Sequence, residues 1–219
     1  MSHTCWIFGA GEYGSLSLTP AQLGDSFVIA ADGGLDWLEG QGIRPHLAVG
    51  DFDSLGRVPS GVPVVRHPAE KDDTDMMLAV EEGLARGCRR FFLWGGLGGR
   101  LDHTLANLHL LDFLAGKGCE GFLLGDTTAI TALRGGTLAF PPGQKGILSV
   151  FAWGGPAEGV TLCGLRYELE NGTLTPHHPL GVSNEFIGTP ATVSVRNGTL
   201  LVLWERSGER LADLPHIIG

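Results

Sequence analysis

The sequence predicts an α/β N-terminal domain followed by an all-β C-terminal domain of sandwich or jelly-roll type. Up to residue 126, short apolar runs alternate with segments of helical periodicity, as in a parallel sheet with crossover helices. From residue 127, strand-like runs follow one another with turn residues between them and no helical segment. We therefore place the domains at residues 1–126 and 127–219, the first three-layered with a mostly parallel, Rossmann-like sheet.

Composition narrows the class of protein. The chain has 219 residues, of which 43% are hydrophobic and 18% charged, so it can bury a real core. A net charge of −9 argues against binding to nucleic acid or to an anionic membrane, and an anionic small ligand would need a local basic cluster or a metal ion. Four separated cysteines, no signal peptide and no apolar run of the ~18 residues that a bilayer span needs predict a cytoplasmic protein.

The first predicted strand, residues 5–8, is followed by a GxGxxG pattern at residues 9–14. This pattern is typical of dinucleotide-binding folds, and Asp32 lies near the place of their ribose-binding acid. In those folds the pattern opens a helix directly, whereas here Ser-Leu-Ser-Leu-Thr-Pro follows and the next strand begins at Phe27. A nucleotide- or dinucleotide-binding module therefore stays open as an alternative.

The second predicted strand, residues 27–30, leads into Ala-Asp-Gly-Gly at residues 31–34. Glycines at this place let a ligand approach the backbone closely, and they equally make a tight turn from strand to helix. Both interpretations stay open, and the candidate nucleotide-binding residues are Asp32, Gly33 and Gly34.

The third predicted strand ends in Gly-Asp-Phe-Asp-Ser at residues 50–54. In an extended chain Asp51 and Asp53 point the same way, while Phe52 turns back to the core. Two carboxylates beside the hydroxyl of Ser54 fit a hard cation such as Mg²⁺ that also meets substrate phosphates. The alternative is a plain turn, since Asp, Ser and Gly are common turn residues.

The fourth predicted strand, residues 62–66, precedes Lys-Asp-Asp-Thr-Asp at residues 71–75 and a helix that continues to Leu84. Asp72 is predicted to cap this helix. A helix N-terminus beside Lys71 is a candidate phosphate site, and Asp75 can reach a metal ion that the phosphates share.

The fifth predicted strand, residues 90–94, runs into Gly-Gly-Leu-Gly-Gly-Arg-Leu-Asp-His at residues 95–103. The amides of such a glycine loop can wrap phosphate oxygens, and Arg100 can bind phosphate with two hydrogen bonds. Asp102 can bind a metal or orient a hydroxyl. His103 is either a phosphate contact or a solvated residue in the first turn of a helix that ends at Gly116.

The second half is predicted to contain eight strands, at residues 128–133, 137–140, 147–153, 158–169, 173–175, 182–187, 191–196 and 199–205. Gly154-Gly155-Pro156 predicts a turn, and the Asn-Gly steps at 171–172 and 197–198 predict hairpin turns. Within Gly-Val-Ser-Asn-Glu-Phe at 181–186, Ser183 and Asn184 can donate and accept hydrogen bonds toward a polar heterocycle. The alternative there is an ordinary polar strand end.

Five loops at one edge of the first sheet thus carry glycines or acids. Three of these loops carry the charged groups, which are Asp51 and Asp53 in the first, Lys71, Asp72, Asp73 and Asp75 in the second, and Arg100, Asp102 and His103 in the third. This combination predicts a site for a metal ion and a polyphosphate, without the Walker A sequence GxxxxGK[ST]. Transfer of a phosphoryl-type group mainly needs positioning and charge neutralisation, and these residue types supply both.

These motifs together resemble the thiamine pyrophosphokinase family. The matching stretches occur in the same order over nearly the whole chain, at residues 31–34, 50–54, 71–75, 95–103 and 181–186. The resemblance implies an α/β domain followed by a β-sandwich domain. It implies that ATP and thiamine give AMP and thiamine diphosphate with Mg²⁺, in a homodimer whose site is shared between subunits. A related pyrophosphokinase acting on another hydroxymethyl heterocycle is the nearest alternative.

The resemblance also implies roles for single residues. The carboxylates at the Mg²⁺ ion and the polyphosphate would be Asp51, Asp53 and Asp75, and Asp102 would be a further acid at the reacting centre. The phosphate contacts would be Lys71, Arg100 and His103. The residues near the nucleotide would be Asp32, Gly33, Gly34 and Ser54. The thiamine contacts from the second domain would be Ser183 and Asn184.

Overall fold

The computed structural model describes residues 4–52, 57, 59–66, 73–206 and 214–218, and the structural statements below concern these residues. The chain forms two compact units. The first comprises the chain up to residue 110 together with residues 121–126, and the second comprises residues 111–120 together with the chain from residue 127.

The first unit contains a sheet with helices along its connections. Its strands are β1 Thr4–Phe8, β2 Phe27–Ala31, β3 Leu47–Gly50, β4 Val64–Arg66, β5 Arg90–Trp94 and β6 Glu120–Leu124. The helices are α1 Pro20–Leu23, α2 Gly34–Gly40, α3 Asp75–Ala85 and α4 Leu101–Gly116, the last of which ends in the second unit. The strand order is β6-β5-β1-β2-β3-β4, and β1 pairs in parallel with both β2 and β5.

This strand order changes direction at β1. From β1 the chain proceeds through β2 and β3 to β4 on one side, and it returns to place β5 and β6 on the other. In open parallel sheets, ligands bind in the crevice at the carboxyl ends of the two strands where the order reverses. The structure therefore points to the loops that follow β1 and β5.

The core of the first unit is formed by continuous apolar strands. Residues 5–8 of β1, 91–94 of β5 and 122–124 of β6 are all buried. Such unbroken burial is typical of parallel strands that are covered on both faces. These rigid strands hold the loops at their carboxyl ends in fixed places.

The second unit contains antiparallel strands around one long strand. Its strands are β7 Thr128–Arg134, β8 Thr137–Phe140, β9 Ile147–Cys163, β10 Leu169–Leu174, β11 Asn184–Glu185, β12 Ala191–Ser194, β13 Asn197–Glu205 and β14 His216–Ile218. The order is β14-β8-β12-β9-β13-β7, and β10 and β11 also pair with β9. The predicted succession of a parallel α/β part and a β-rich part is thus confirmed in its coarse form. The Rossmann-like and jelly-roll descriptions stay predictions.

The predicted turn at Gly154-Gly155-Pro156 is wrong, because β9 continues through it. Gly154 has φ 71°, a value that bends the strand without ending it. Residues before this point pair with β13, and residues 157–162 pair with β10. Glu158, beyond the bend, still pairs with Asn197 of β13, so β9 keeps this partner through a shift in register while its later residues also pair with β10.

The two predicted Asn-Gly hairpin turns are also wrong. Asn171 lies inside β10 with φ 47°, where the register against β9 shifts. Gly198 lies near the start of β13 with φ 87°, beside another shift in register. Both steps mark β-bulges, in which positive φ values are used within a strand.

Smaller differences concern the ends of elements. Thr74 caps α3, since its side-chain oxygen accepts a hydrogen bond from the amide of Met77 at 3.2 Å. The predicted cap Asp72 lies outside the described residues. The predicted strand at 182–187 contains only the two paired residues of β11, and α1 and β14 were not predicted.

Candidate functional site

A cavity of about 450 Å³ lies at the carboxyl ends of the parallel strands of the first unit. Its walls come from the loops after β1, β2 and β5 and from the first turns of α3 and α4. The lining residues are Gly9, Ala10, Gly11, Ala31, Asp32, Asp73, Thr74, Asp75, Met76, Gly95, Gly96, Gly98, Gly99, Arg100, His103 and Asn107. The cavity thus joins a glycine-rich wall to three carboxylates, an arginine and a histidine.

The glycine-rich wall consists of two loops that bond to each other. The amide of Gly9 donates to the carbonyl of Trp94 at 2.8 Å, and the amide of Gly11 donates to the carbonyl of Gly95 at 2.9 Å. A side chain at Gly11 would place its Cβ 2.5 Å from the Gly95 oxygen. The two loops therefore pack backbone to backbone, and only glycine fits between them.

This packing explains the GxGxxG pattern in another way than dinucleotide binding. The amides of Gly9 and Gly11 are used in bonds to the loop after β5. No helix opens at the pattern in the described chain, because β1 ends at Phe8 and α1 begins at Pro20. Both features depart from the dinucleotide-binding arrangement, in which the pattern leads directly into a helix.

The turn after β2 brings Asp32 to the cavity. Asp32 has φ 45°, and its amide donates to the carbonyl of Val49 at 2.8 Å. Gly34 begins α2, and a Cβ there would lie 1.9 Å from the carbonyl oxygen of Phe8. Gly34 thus lets α2 approach β1, while Asp32 lines the cavity and Gly33 lies between them.

The predicted acidic and basic residues of the next two loops are only partly described. Asp75 is the first residue of α3 and lines the cavity together with Asp73. Asp51 is half-buried directly after β3. Asp53, Ser54 and Lys71 lie outside the described residues.

Arg100 and Asp102 form an ion pair at the start of α4. The Arg100 guanidinium bonds both carboxylate oxygens, with Nη2–Oδ2 at 2.6 Å and Nε–Oδ1 at 3.2 Å. The hydrogen bond from Arg100 is the main cause that holds the pKa of Asp102 below its usual value. Both side chains are exposed, and Arg100 lines the cavity with His103. These two bonds use two of the five N–H donors of the guanidinium, and a bidentate bond from the same two nitrogens to a phosphate would replace the Asp102 carboxylate.

Ser183 and Asn184 lie in the second unit and differ in their surroundings. Ser183 is exposed with φ 60°, and its amide donates to the hydroxyl of Ser149 at 3.0 Å. Asn184 is buried, and its Oδ1 accepts from the amides of Tyr167 at 3.0 Å and Glu185 at 2.9 Å. Its Nδ2 donates to the carbonyl of Tyr167 at 2.6 Å. Three of the four hydrogen-bonding positions of the Asn184 amide are therefore used by the backbone.

Asn107 is a site residue that was not predicted from the sequence. This residue is buried in α4, and its Nδ2 donates to the carbonyl of Gly96 at 2.9 Å. It thereby attaches the glycine loop to the helix that follows it. A polar residue within the apolar stretch of a predicted helix was the signal that could have found it.

The donors around the cavity fit a magnesium ion that is shared with phosphates. Among the described residues, no group of three or more His, Cys, Asp or Glu side chains could enclose a metal ion by itself. Mg²⁺ at phosphate sites keeps several waters and needs only one or two carboxylates. Asp73 and Asp75 at the cavity meet that requirement.

A crevice at a topological switch point, walled by a glycine loop and carrying acids and an arginine, defines a nucleotide-binding α/β protein. Residues 22–120 match the family model described as thiamin pyrophosphokinase, catalytic domain, and residues 137–200 match that of the thiamin pyrophosphokinase vitamin B1 binding domain. The chain belongs to the thiamine pyrophosphokinase family. The family predicted from the sequence is confirmed, and it is favoured over a related pyrophosphokinase or a binding module.

Individual relatives agree with this assignment. The chain is 30% identical to the thiamine pyrophosphokinase of Bacillus subtilis (strain 168) over 189 residues, which cover 80% of this chain and 85% of that one. The crystal structure of a thiamin pyrophosphokinase family protein from Enterococcus faecalis has a TM-score of 0.80 and 30% identity, and it covers 94% of this chain and 100% of the other. The crystal structure of the Bacillus subtilis protein has a TM-score of 0.81 and 26% identity, over 93% and 99% of the two chains.

Two further observations concern the predicted setting of the protein. None of the helices among the described residues has the length and apolar character needed to cross a membrane. Cys5, Cys88, Cys119 and Cys163 are all described and are not joined in disulfides, and the first three are buried.

Proposed function

We propose that this protein transfers the pyrophosphoryl group of ATP to the hydroxyl of thiamine, giving thiamine diphosphate and AMP. The observation that carries the proposal is the cavity at the switch point of the first sheet. It combines a wall of glycine backbone with Arg100, His103 and the acids Asp73 and Asp75. Family membership supports the same reaction.

In this reaction the thiamine hydroxyl oxygen attacks the β-phosphorus of ATP in line. The new bond joins that oxygen to the β-phosphorus, and the bond between the β-phosphorus and the bridging oxygen to the α-phosphate breaks. AMP leaves with the bridging oxygen, and the hydroxyl proton passes to solvent or to a nearby base. Because such transition states are loose, catalysis depends on positioning and charge neutralisation more than on proton removal.

The residues of the cavity supply those two effects. Arg100 exchanges Asp102 for phosphate oxygens. His103, which also lines the cavity, is a second phosphate contact. Lys71 is a third phosphate contact in the proposal, and Ser54 is a nucleotide contact. Asp32 is a further nucleotide contact in the proposal, since it lines the cavity, and Gly33 and Gly34 belong to the turn that carries it.

Asp51, Asp53 and Asp75 would hold Mg²⁺, which when bound neutralises phosphate charge. The carboxylates at the carboxyl end of β3 and at the start of α3 support this assignment. Asp102 is a further acid of the reacting centre once Arg100 has released it.

We further propose that Ser183 contacts thiamine and that Asn184 shapes that contact. We also propose a homodimer in which thiamine is held by the second unit of one subunit next to the first unit of the other. Exposed apolar side chains near the 181–188 segment support a contact surface there, namely Ile147, Leu180, Val182 and Ile187. A cytoplasmic location and a division into an α/β domain of residues 1–126 and a β-rich domain of residues 127–219 complete the proposal.

Product analysis tests the reaction. Phosphorus NMR after incubation with thiamine, ATP and Mg²⁺ is expected to show thiamine diphosphate and AMP in equal amounts. A parallel reaction without thiamine controls for hydrolysis of ATP. Thiamine monophosphate with ADP as the main products would contradict pyrophosphoryl transfer.

A further inference from the structure

Tyr13 lies in the segment between β1 and α1, beneath the wall of the cavity. It is buried, with 9% of its surface exposed. Its hydroxyl donates a hydrogen bond to the carbonyl oxygen of Gly9 at 2.5 Å. A Cβ at Gly95 would lie 2.9 Å from the same hydroxyl. The hydroxyl therefore bonds to the loop after β1 and lies beside the loop after β5, and both loops line the cavity.

The ring of Tyr13 is held by aromatic neighbours. It stacks on Trp37 of α2, with ring centroids 4.2 Å apart and an angle of 9° between the planes. Trp37 in turn stacks on Phe8, the last residue of β1, at 5.3 Å and 15°. Such pairs contribute beyond their buried area, so this stack connects β1, α2 and the segment after β1. The direction in which the Tyr13 hydroxyl points is thereby fixed.

Fixing the Gly9 carbonyl has consequences for the adjacent wall of the cavity. The neighbouring amides of Gly9 and Gly11 donate to Trp94 and Gly95 of the other loop, so the two loops are joined on both sides of the fixed carbonyl. Burial raises the pKa of Tyr13, which keeps its hydroxyl protonated as a donor. The loop after β5 that is held in this way contributes Gly95, Gly96, Gly98 and Gly99 to the lining of the cavity.

We propose that Tyr13 is a positioning residue for nucleotide binding. Its hydroxyl orients the Gly9 carbonyl and keeps the loop after β1 in register with the glycine loop of residues 95–99. The two glycine loops then have the geometry for phosphate binding before the nucleotide binds. The inference rests on the proposed function, because it takes the cavity to be the nucleotide site.

The substitution Tyr13→Phe removes the hydroxyl and keeps the stacked ring. The dissociation constant for a non-hydrolysable ATP analogue with Mg²⁺, measured by calorimetry, is expected to rise about three- to tenfold, as for the loss of one hydrogen bond. The KM for ATP rises by a similar factor, while kcat and the KM for thiamine change little. The matched control is Tyr167→Phe, the same change at the other tyrosine of the chain, which is exposed in the second unit.

Hydrogen exchange separates positioning from simple stabilisation. The amide of Gly11, which bonds to the Gly95 carbonyl, is expected to exchange faster in Tyr13→Phe than in the wild type or in Tyr167→Phe. A lower melting temperature with unchanged nucleotide affinity and unchanged Gly11 exchange would overturn the inference. If the wild type does not bind the analogue at all, the proposed function falls and this inference falls with it. If the wild type and Tyr13→Phe bind equally well, only this inference is overturned.

Discussion

At the scale of single residues, Ser183 and Asn184 have different environments although they are adjacent in the sequence. The buried Asn184 side chain holds the backbone of Tyr167 at both its amide and its carbonyl. Ser183 is exposed beside it. A strand ladder cannot supply these bonds to Tyr167, because they come from a side chain and not from the backbone.

We therefore expect different results when each of the two residues is changed to alanine. Asn184→Ala leaves backbone groups of Tyr167 and Glu185 without their present partner, which is expected to lower the free energy of unfolding by about 1–3 kcal/mol. Ser183→Ala is the matched control, and it is expected to raise the KM for thiamine with an unchanged unfolding curve. Urea unfolding and steady-state kinetics of both variants check this. Equal stability of the two variants would contradict the structural role of Asn184.

At the scale of elements, the start of α4 combines the glycine loop with an ion pair that we expect the proposed substrate to replace. Arg100 bonds both oxygens of Asp102, and this bond keeps the pKa of Asp102 low. Nucleotide binding is expected to raise that pKa. The guanidinium moves to phosphate, and the phosphate adds negative charge near the carboxylate, so both changes favour the protonated form.

Carboxyl NMR titration of Asp102 with and without a non-hydrolysable ATP analogue measures this shift. Arg100→Gln is the control, because its Asp102 is expected to titrate nearer the usual value even without nucleotide and to shift less on binding. The variant should also bind the analogue more weakly. An unchanged Asp102 pKa in the wild type, together with unchanged affinity in Arg100→Gln, would show that Arg100 is not a phosphate contact.

Elements were predictable from the sequence where a local pattern determines them. The apolar runs of β1 and β5 and the helical spacing in α3 each depend on neighbours within a few residues, and the structure contains all three elements. The Asn-Gly steps were misread, because positive φ values suit a bulge as well as a hairpin, and only the partner strand decides between them. Local sequence cannot identify that partner.

The residues that line the cavity were predictable from the sequence in part. Asp32, Asp75, Arg100 and His103 were expected to gather at one edge of a parallel sheet, and they line one cavity. Tyr13 and Asn107 were missed, because their importance comes from hydrogen bonds to Gly9 and Gly96. In the sequence they look like an ordinary loop tyrosine and an ordinary helix asparagine.

At the scale of the whole molecule, the charged groups and the proposed thiamine contact are divided between two units. The acids and Arg100 that line the cavity belong to the first unit, and Ser183 belongs to the second. The proposed homodimer brings these groups together across subunits. An isologous dimer has two equivalent sites, so each of them would take its two halves from different chains.

Mixed dimers test whether the site is shared. Asp51→Asn impairs the proposed phosphate half, and Ser183→Arg blocks the proposed thiamine half, so each homodimer is expected to be nearly inactive. After the two variants are unfolded and refolded together, about half of the dimers are mixed by random association. In a mixed dimer one site carries both changes and the other carries neither, so purified heterodimers should recover about half of the wild-type activity. Heterodimers of two differently tagged wild-type chains are the control for refolding. Folded heterodimers that stay as inactive as their parents would show that each chain builds its site from its own two units.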